Sequence, residues 1–597
     1  MRRGLYAVVI LSLLLSACNY NKDKVFLEAE AFDETGGWVN DAQFIDQMGS
    51  PYLMAHGLGE PVEDAVTSFE IEEPGTYHVA VRTFNWVAPH GGEPAPGLFK
   101  ISIDGIELDT VFGKKPDAWG WAKGGAIDLE AGEHEMRLQD LTGFNGRVDA
   151  IFLSKEEYQY LPNNPYKLFK LRTRTGAVPS KISEEGTYDL VVVGGGIAGI
   201  SAAVSAARLG LKTALIQNRP VLGGNNSSEV RVHLVGSVDK NLYPELGNIV
   251  RALNDHHPPN AAEGEKFQDE LKLELVQNTP NLDLFLNTHA NWLEVSNEKI
   301  EHVYAINTHT GQQHVFHGKY FADCTGDGTV GALAGADYRY GRESREETGE
   351  PSAPVEADSM TMGSSNLWRS TERDSTSDFP EVPWALQFTD DYYIDAASGT
   401  WRWESGFDRD IIEEAEWIRD HNLRAVFGNW SYLKNNLEEK YADHKLQWVA
   451  YVSGKRESRR LMGDVILSEL DILNRTEYDD AAVTLTWGID IHFADTLNSK
   501  YFPGQEFISW YTHPKHEPYH MPYRCLYSRN INNLFMAGRN VSVTHIGLGS
   551  PRVMRTGGLM GEVVGMAASI CIENSCTPRE VYEDHMDELK GLMKKGV

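Results

Sequence analysis

Cysteine is scarce in this chain, with five residues in 597. None sits in a CxxC or Cys/His spacing, so the pattern that would announce a zinc site is missing. Cys324, Cys525, Cys571 and Cys576 follow the first one, Cys18. They read as buried free thiols, with room for one disulfide in an oxidising compartment. Positive charge is also in deficit: 55 Lys and Arg stand against 86 Asp and Glu, a net −31. Nucleic acid needs a basic surface, so that class of partner is excluded. Beyond the first residues no run is long and apolar enough for a transmembrane helix. Internal repeats and low-complexity tracts are absent. What remains is an ordinary globular composition, 41% hydrophobic and 24% charged. The length suggests about three or four folded units.

The start has its own signature. Met1-Arg2-Arg3 precedes an apolar run, Leu5 to Leu15, and then Ser16-Ala17-Cys18. A basic start, a short apolar core and small residues describe a secretory signal peptide over residues 1–17. The run Leu15-Ser16-Ala17-Cys18 resembles a bacterial lipobox. The resemblance implies cleavage before Cys18, a lipid on its thiol and a tether over residues 18–24. Asn19 stands where an Asp would signal inner-membrane retention. The expected address is therefore an exported lipoprotein at the outer membrane, cell surface or periplasm, membrane-bound through Cys18.

Residues 25–155 read as all-β. Thr76–Arg82, Phe99–Ile103 and Glu135–Leu138 are strand candidates, and Glu73-Pro74-Gly75, Asp104-Gly105 and Ala131-Gly132 are turns between them. Many short strands with regular turns point to a β-sandwich. Glu28-Ala29-Glu30, Glu73-Pro74-Gly75-Thr76-Tyr77 and Val148-Asp149-Ala150-Ile151 resemble the carbohydrate-binding-like sandwich found beside xanthan lyases. In similar sandwiches acidic residues of the first and last strands hold a structural Ca²⁺. Here Glu28, Glu30 and Asp149 supply only part of such a ligand set, and solvated carboxylates explain them equally. Trp119 and Trp121 suit either sugar stacking or the core. No metal site is assigned. Residues 156–186 lose periodicity, and Asn163-Asn164-Pro165 and Pro179-Ser180 mark a linker lying on the next domain.

Tyr188–Val193 reads as a short buried strand running into Gly194-Gly195-Gly196-Ile197-Ala198-Gly199. An alanine-rich helix follows, then a second apolar strand, Thr213 to Ile216. This is the order a dinucleotide site requires. Gly194 permits the turn, Gly196 lets a pyrophosphate approach the backbone, and Gly199 lets the helix pack on the sheet. The acidic residue usual after the second strand is replaced by Gln217, whose amide can still accept from a ribose hydroxyl. Arg219 lies near enough to reach phosphate or adenine.

The segment Arg219-Pro220-Val221-Leu222-Gly223-Gly224-Asn225-Asn226-Ser227-Ser228 resembles the FAD-dependent oxidoreductases of the glutathione-reductase-like Rossmann superfamily, most closely their bacterial "RPxLGGN" branch. Tyr320–Gly328 and Asn533–Asn540 resemble the later nucleotide strands of that family. The resemblance implies FAD as cofactor, held by Gly194, Gly196, Gly199, Gln217, Arg219, Gly223, Gly224, Asn225, Ser228, Asp323, Gly326, Asp327, Gly538 and Arg539. It implies a multidomain chain: an N-terminal all-β sandwich, then an α/β FAD-binding Rossmann-type domain with an inserted substrate domain. The parts are 187–345 and 520–597 for FAD and 346–519 for the insertion.

A flavin accepts hydride, so the protein must place the donor carbon and remove a proton. His545 precedes a helix expected from about Val553 to Ile570, and it is the first candidate base; Arg552 lies between them. Glu404, Asp490 and His492 follow as proton-transfer candidates. Glu457-Ser458-Arg459-Arg460 begins an expected helix. Trp401, Trp403, Trp430, Trp448 and Trp487 suit sugar rings or an aromatic core. The leading expectation is oxidation of a saccharide or glycan hydroxyl, with an unidentified electron acceptor. Two alternatives stand beside it. One is redox-neutral glycosidic cleavage through transient oxidation and elimination; the other is a non-catalytic glycan-binding surface lipoprotein.

Overall fold

The computed structural model describes residues 22–253 and 258–597, so the expected signal peptide, Cys18 and most of the expected tether lie outside the described residues. The chain divides into two compact units. The first runs to Ile182 and adds Thr308–Gln313 and Phe379–Ala385; the second holds the rest.

In the first unit two four-stranded antiparallel sheets share one core. One orders Lys24–Glu28, Ala150–Ser154, Gly75–Thr83 and Gly120–Leu129; the other orders Ala65–Ile71, Gly132–Asp140, Phe99–Ile103 and Ile106–Glu107. Alternate residues of each strand point inward, as period-two patterning demands. Val79 and Val81 from one sheet meet Ile101, Met136 and Leu138 from the other in that core. Trp119 lies between Tyr52 and Phe84, with ring centroids 4.9 and 4.7 Å away. Trp121 rests on Phe26 and donates its indole N–H to the Pro162 carbonyl at 2.9 Å. Both rings are engaged by the unit's own side chains. Phe379–Ala385 joins this unit because Trp384 packs edge-on against Trp86 and Phe144.

The expected linker, 156–186, contains a helix instead, Pro165–Thr175. Asn164 caps it by accepting from the Lys167 N–H, Pro165 opens it, and Gly176 closes it at φ +75°. Only Leu168 and Arg172 are buried along it. An arginine in an inward position hides the helical period from any count of apolar residues.

Arg172 organises a buried charge cluster. Its guanidinium meets Glu28 at 2.7 Å, Asp149 at 3.1 Å and the Ser50 hydroxyl at 2.6 Å. Arg82 adds a second contact to Asp149 at 2.8 Å. Arginines thus supply the positive charge beside the carboxylates considered as Ca²⁺ ligands. Two guanidiniums face three carboxyls, and Glu30 takes up the difference: burial, with the Glu28 and Asp149 charges, pushes its carboxyl well above the usual range. Burial also raises Glu28 to about 7 despite Arg172.

The second unit is built on a parallel sheet in the order Leu282–Phe285, Thr213–Ile216, Ser183–Val193, Gln313–Asp323, Leu534–Met536. A hairpin, Thr288–Ser296 with Lys299–Asn307, extends it. The helix Ile197–Arg208 crosses from the central strand to Thr213–Ile216. Its small residues receive the long helix Met554–Asn574: a Cβ on Gly561 would lie 2.1 Å from the Ala198 carbonyl oxygen, and one on Gly565 would lie 2.6 Å from that of Ala202. Glycine is required at both positions for the two backbones to come this close.

Residues 346–519 do not separate as an inserted domain. Apart from Phe379–Ala385 they belong to the same unit as the parallel sheet. Leu461, Leu467, Val483, Leu485 and Ile491 enter the same core as Val191, Ile200 and Leu534. The helix expected to start at Glu457 is absent; Arg460–Leu461 is a short strand paired with Tyr338–Arg339. Its charged residues are held inward by ion pairs, which helical amphipathicity does not anticipate. All four described cysteines are buried and free, and no helix among the described residues is long and apolar enough to cross a membrane.

Replacing Arg172 by Ala leaves the buried Glu28 without its ion-pair partner and Asp149 with Arg82 alone, and the first unit is expected to lose about 3–5 kcal/mol, read by urea unfolding. Glu28 and Glu30 both carry raised pKa values when folded; the Glu28 contribution is complete below about pH 4.5 and is lost as pH rises through about 7. Glu28→Gln is therefore expected to flatten the fall in unfolding midpoint across that window; an unchanged slope contradicts the assignment.

Candidate functional site

The strand Ser183–Val193 delivers the chain into two facing glycine turns. Gly194 sits at φ +105°, and a Cβ there would lie 2.3 Å from the Cys324 carbonyl oxygen. A Cβ on Gly199 would lie 1.8 Å from the Gly194 oxygen. The second turn closes on the first through the Gly223 N–H, which donates to the Gly195 carbonyl at 2.8 Å. Gly196 differs from its neighbours. A Cβ there would meet nothing nearer than the Gly224 Cα at 3.9 Å. Open space is therefore kept at the N-terminus of Ile197–Arg208, where backbone N–H groups and the helix dipole favour an anion.

The far wall of that space was only partly read from the sequence. Gly538, at φ +111°, has room for a Cβ with Ala198 at 3.6 Å and Asn540 Oδ1 at 3.7 Å. Gly557 is similar, with Gly538 Cα at 3.6 Å and the Ala198 Cβ at 3.7 Å. Asn540 donates its amide to the Asp323 carbonyl at 3.1 Å, while its Oδ1 is buried with no hydrogen-bond partner. Gly196 with Gly224, and Gly538 with Gly557 and Ala198, thus keep a surface of small residues beside the helix N-terminus, with the unmatched Asn540 Oδ1 next to Gly538; we call it the trough. An extended dinucleotide fits this trough. Asn540 and Gly557 are not among the cofactor residues expected from the sequence, although Asn540 ends the segment that resembles a later nucleotide strand and Gly557 lies in the expected helix after Arg552.

Several other expected contacts are committed elsewhere. Gln217 is buried; its Oε1 accepts from the Gly195 N–H at 2.8 Å and its Nε2 donates to the Val221 carbonyl at 2.9 Å. It staples the two glycine turns, where a ribose contact had been expected. Arg219 pairs with Glu229 at 2.9 Å, where phosphate or adenine had been expected. Asn225 donates to the Lys455 carbonyl, and the Ser228 N–H donates to Asp269. Asp323 accepts from Thr325 and from the Gly331 N–H, bracing the turn after its strand; burial pushes its carboxyl up. Asp327 accepts from Lys455, Arg539 and Ser458. Burial opposes its charge, but Lys455 and Arg539 hold it well below the usual carboxylate range. Gly326, at φ +77°, lies against the Arg539 guanidinium.

The four candidate catalytic residues fall into two networks. In one, His545 Nδ1 donates to the Glu457 carboxylate at 2.9 Å, and the His545 backbone N–H donates to Glu343 at 2.8 Å. Glu457 also binds Arg460. Burial alone would raise Glu457, but the His545 and Arg460 charges hold it low. His545 Nε2 is buried without a partner. In the other network Glu404 binds His492 Nδ1 at 2.6 Å, His492 Nε2 faces Asp490 at 3.3 Å, and Asp490 binds Arg552 at 2.9 Å. Burial opposes the Glu404 charge, yet Arg456 and His492 bring it down to about 2. Adjacent amides join the networks: the Met362 N–H donates to Glu457 and the Gly363 N–H to Glu404.

The two histidines therefore differ. Both nitrogens of His492 face carboxylates, whereas His545 has one nitrogen fixed and one buried without a partner. With Nδ1 engaged by the carboxylate, Nε2 is the ring nitrogen left to meet a substrate. Glu404 and Arg552 sit in the His492 network and share no hydrogen bond with His545.

A family model described as FAD dependent oxidoreductase matches residues 189–593, well over half of the chain. The chain is 32% identical over 179 residues to a tRNA uridine 5-carboxymethylaminomethyl modification enzyme, MnmG, from Finegoldia magna. That similarity covers 26% of this chain and 27% of the relative, so the chain spans little more than a quarter of that protein's length. A geranylgeranyl bacteriochlorophyll reductase-like protein from Thermoplasma acidophilum is 15% identical, over 69% of this chain and 84% of that one, at a TM-score of 0.30. The C-terminal CBM6 of LamC from Zobellia galactanivorans is 14% identical, over 22% of this chain and 99% of that one, at a TM-score of 0.18. Likenesses at these scores establish neither a shared fold nor a shared chemistry.

Filling the trough tests its use. Gly196→Val and Gly557→Leu are each expected to weaken FAD binding by roughly tenfold to a hundredfold, read by titrating the stripped chain with FAD and following flavin fluorescence. Wild-type affinity in both variants contradicts the placement.

Proposed function

Because this chain belongs to the FAD dependent oxidoreductase family and is an enzyme with FAD as its cofactor, we propose that it oxidises a hydroxyl-bearing carbon of a saccharide or glycan fragment. The observation that carries the reading is the His545–Glu457 pair with its unpartnered Nε2. Bound FAD supplies a two-electron acceptor. The residues of the chain do the rest. His545 Nε2 takes the proton of the substrate hydroxyl. Glu457 fixes the ring through Nδ1 and stabilises the imidazolium that results. Glu343 and Arg460 hold that pair in place, and the depth of the site excludes water from it. Support for a saccharide comes from the sugar-module likeness of the N-terminal sequence and the aromatic and carboxylate residues of 346–519. The electron acceptor is unassigned. The export signal, the Cys18 lipid and the outer-membrane address belong to the same proposal and place the substrate outside the cytoplasm.

A second reading has one specific observation behind it. Elimination next to a transiently oxidised carbon needs another proton-handling group, and the Glu404–His492–Asp490–Arg552 network lies one backbone amide from the first pair. Redox-neutral cleavage would release new reducing ends without consuming an acceptor. The non-catalytic reading is set aside, since the chain is an oxidoreductase.

Under the leading reading His545→Asn retains its flavin and lowers kcat by about 10²- to 10⁴-fold. Glu457→Gln is expected to lower kcat with little change in KM. Anaerobic addition of a panel of saccharides to the holoenzyme is expected to bleach the flavin with at least one of them, and air to restore it. No bleaching by any member sinks the saccharide assignment.

A further inference from the structure

The stretch from Ser398 to Ser405 serves two places at once. Its Glu404 binds His492, and its Trp401 ring lies 5.0 Å from the His492 ring. Ser398, Thr400, Arg402 and Trp403 instead line a separate cavity of 520 Å³, whose other walls include Asp390, Asp391, Tyr393 and Asp495. That volume lies within the range of small-molecule sites, about 300–1,000 Å³.

Resting on the saccharide reading above, we infer that this cavity is a subsite for a neutral or amino sugar unit of the substrate, remote from the bond being oxidised. Three aspartates face one arginine on its lining, so a uronate or sulfated unit is repelled and a neutral or cationic one is not. Asp495 spends one oxygen capping the helix Thr496–Tyr501 and stands 3.7 Å from Arg402 with the other. Asp390 accepts from the Tyr432 hydroxyl, and Tyr393 tilts against that same ring. These contacts fix the walls. Asp391 is exposed at the mouth, and its carboxylate can accept from a pair of neighbouring sugar hydroxyls. Tyr393 offers a half-buried ring as an apolar platform for sugar C–H groups. Because the loop that lines the cavity also carries Glu404, a sugar seated here orients the chain toward the proton-handling networks. Remote binding of this kind serves the reacting end by positioning.

The test uses the full-length holoenzyme and three probes: a glucosamine tetrasaccharide, cellotetraose and tetragalacturonate, titrated by calorimetry into wild type, Asp391→Asn and Asp391→Asn/Tyr393→Ala. The first or second probe is expected to bind wild type, to weaken about tenfold in the single variant and further in the double; tetragalacturonate is expected to bind least. No binding by any probe, equal binding in the variants, or preference for tetragalacturonate overturns the subsite. The same probes in the flavin assay separate the two claims. Variant-sensitive binding with an oxidised flavin leaves the subsite and removes the saccharide oxidation. A bleached flavin whose KM ignores both variants does the reverse.

Discussion

Everything at the candidate site depends on backbones meeting where a Cβ has no room. The helices Ile197–Arg208 and Met554–Asn574 touch through Gly561 and Gly565 against the carbonyls of Ala198 and Ala202. One turn earlier on the second helix Gly557 lies next to Gly538 and Ala198, two residues on from Gly196, which in turn lies next to Gly224. The space left between them exists because none of these four residues carries a side chain. The trough is thus a by-product of close packing, and it opens at the helix end whose N–H groups lack partners. The glycines divide by role. Gly194 and Gly199 have no space for a Cβ, whereas Gly196 and Gly538 have space that the protein does not use.

The second unit buries several charged groups, and three of its carboxylates are each matched by two cationic or basic side chains. Glu457 has His545 and Arg460, Glu404 has His492 and Arg456, and Asp327 has Lys455 and Arg539. Removing one member of such a pair costs more than the pair contributes, because it leaves a charge without a partner in a dry interior. Residues 454–461 supply Lys455, Arg456, Glu457, Ser458 and Arg460 to all three sets. This stretch ties the sheet, the trough and the two histidine networks into one core, and for that reason 346–519 does not part from the sheet as an independent domain.

The sequence was most informative where local rules suffice. Strand, glycine turn and helix around Gly194, Gly196 and Gly199 follow from composition and spacing, and so does the helix after Arg552. It was misleading where a side chain's partner lies outside its own segment. Gln217 looked free for a ribose, yet its partners are Gly195 and Val221. Arg219 looked free for phosphate, yet it answers Glu229. Arg172 sat in a stretch without apolar period because the residue it buries is charged. Glu457 looked like the first residue of a helix. Its carboxylate instead orients His545, a pairing across 88 positions that no local pattern encodes. The sequence puts His545 ahead of His492 by its place before the helix, and the structure adds a second ground, since only His545 keeps a ring nitrogen without a partner.

The central claim is that one trough, assembled from segments some 340 positions apart, holds a single FAD molecule. The direct measurement is the visible spectrum of the purified full-length chain, with the flavin released and counted after denaturation. The account predicts a yellow protein that yields one FAD per folded chain. A folded chain that is colourless and takes up no FAD when it is supplied would contradict it.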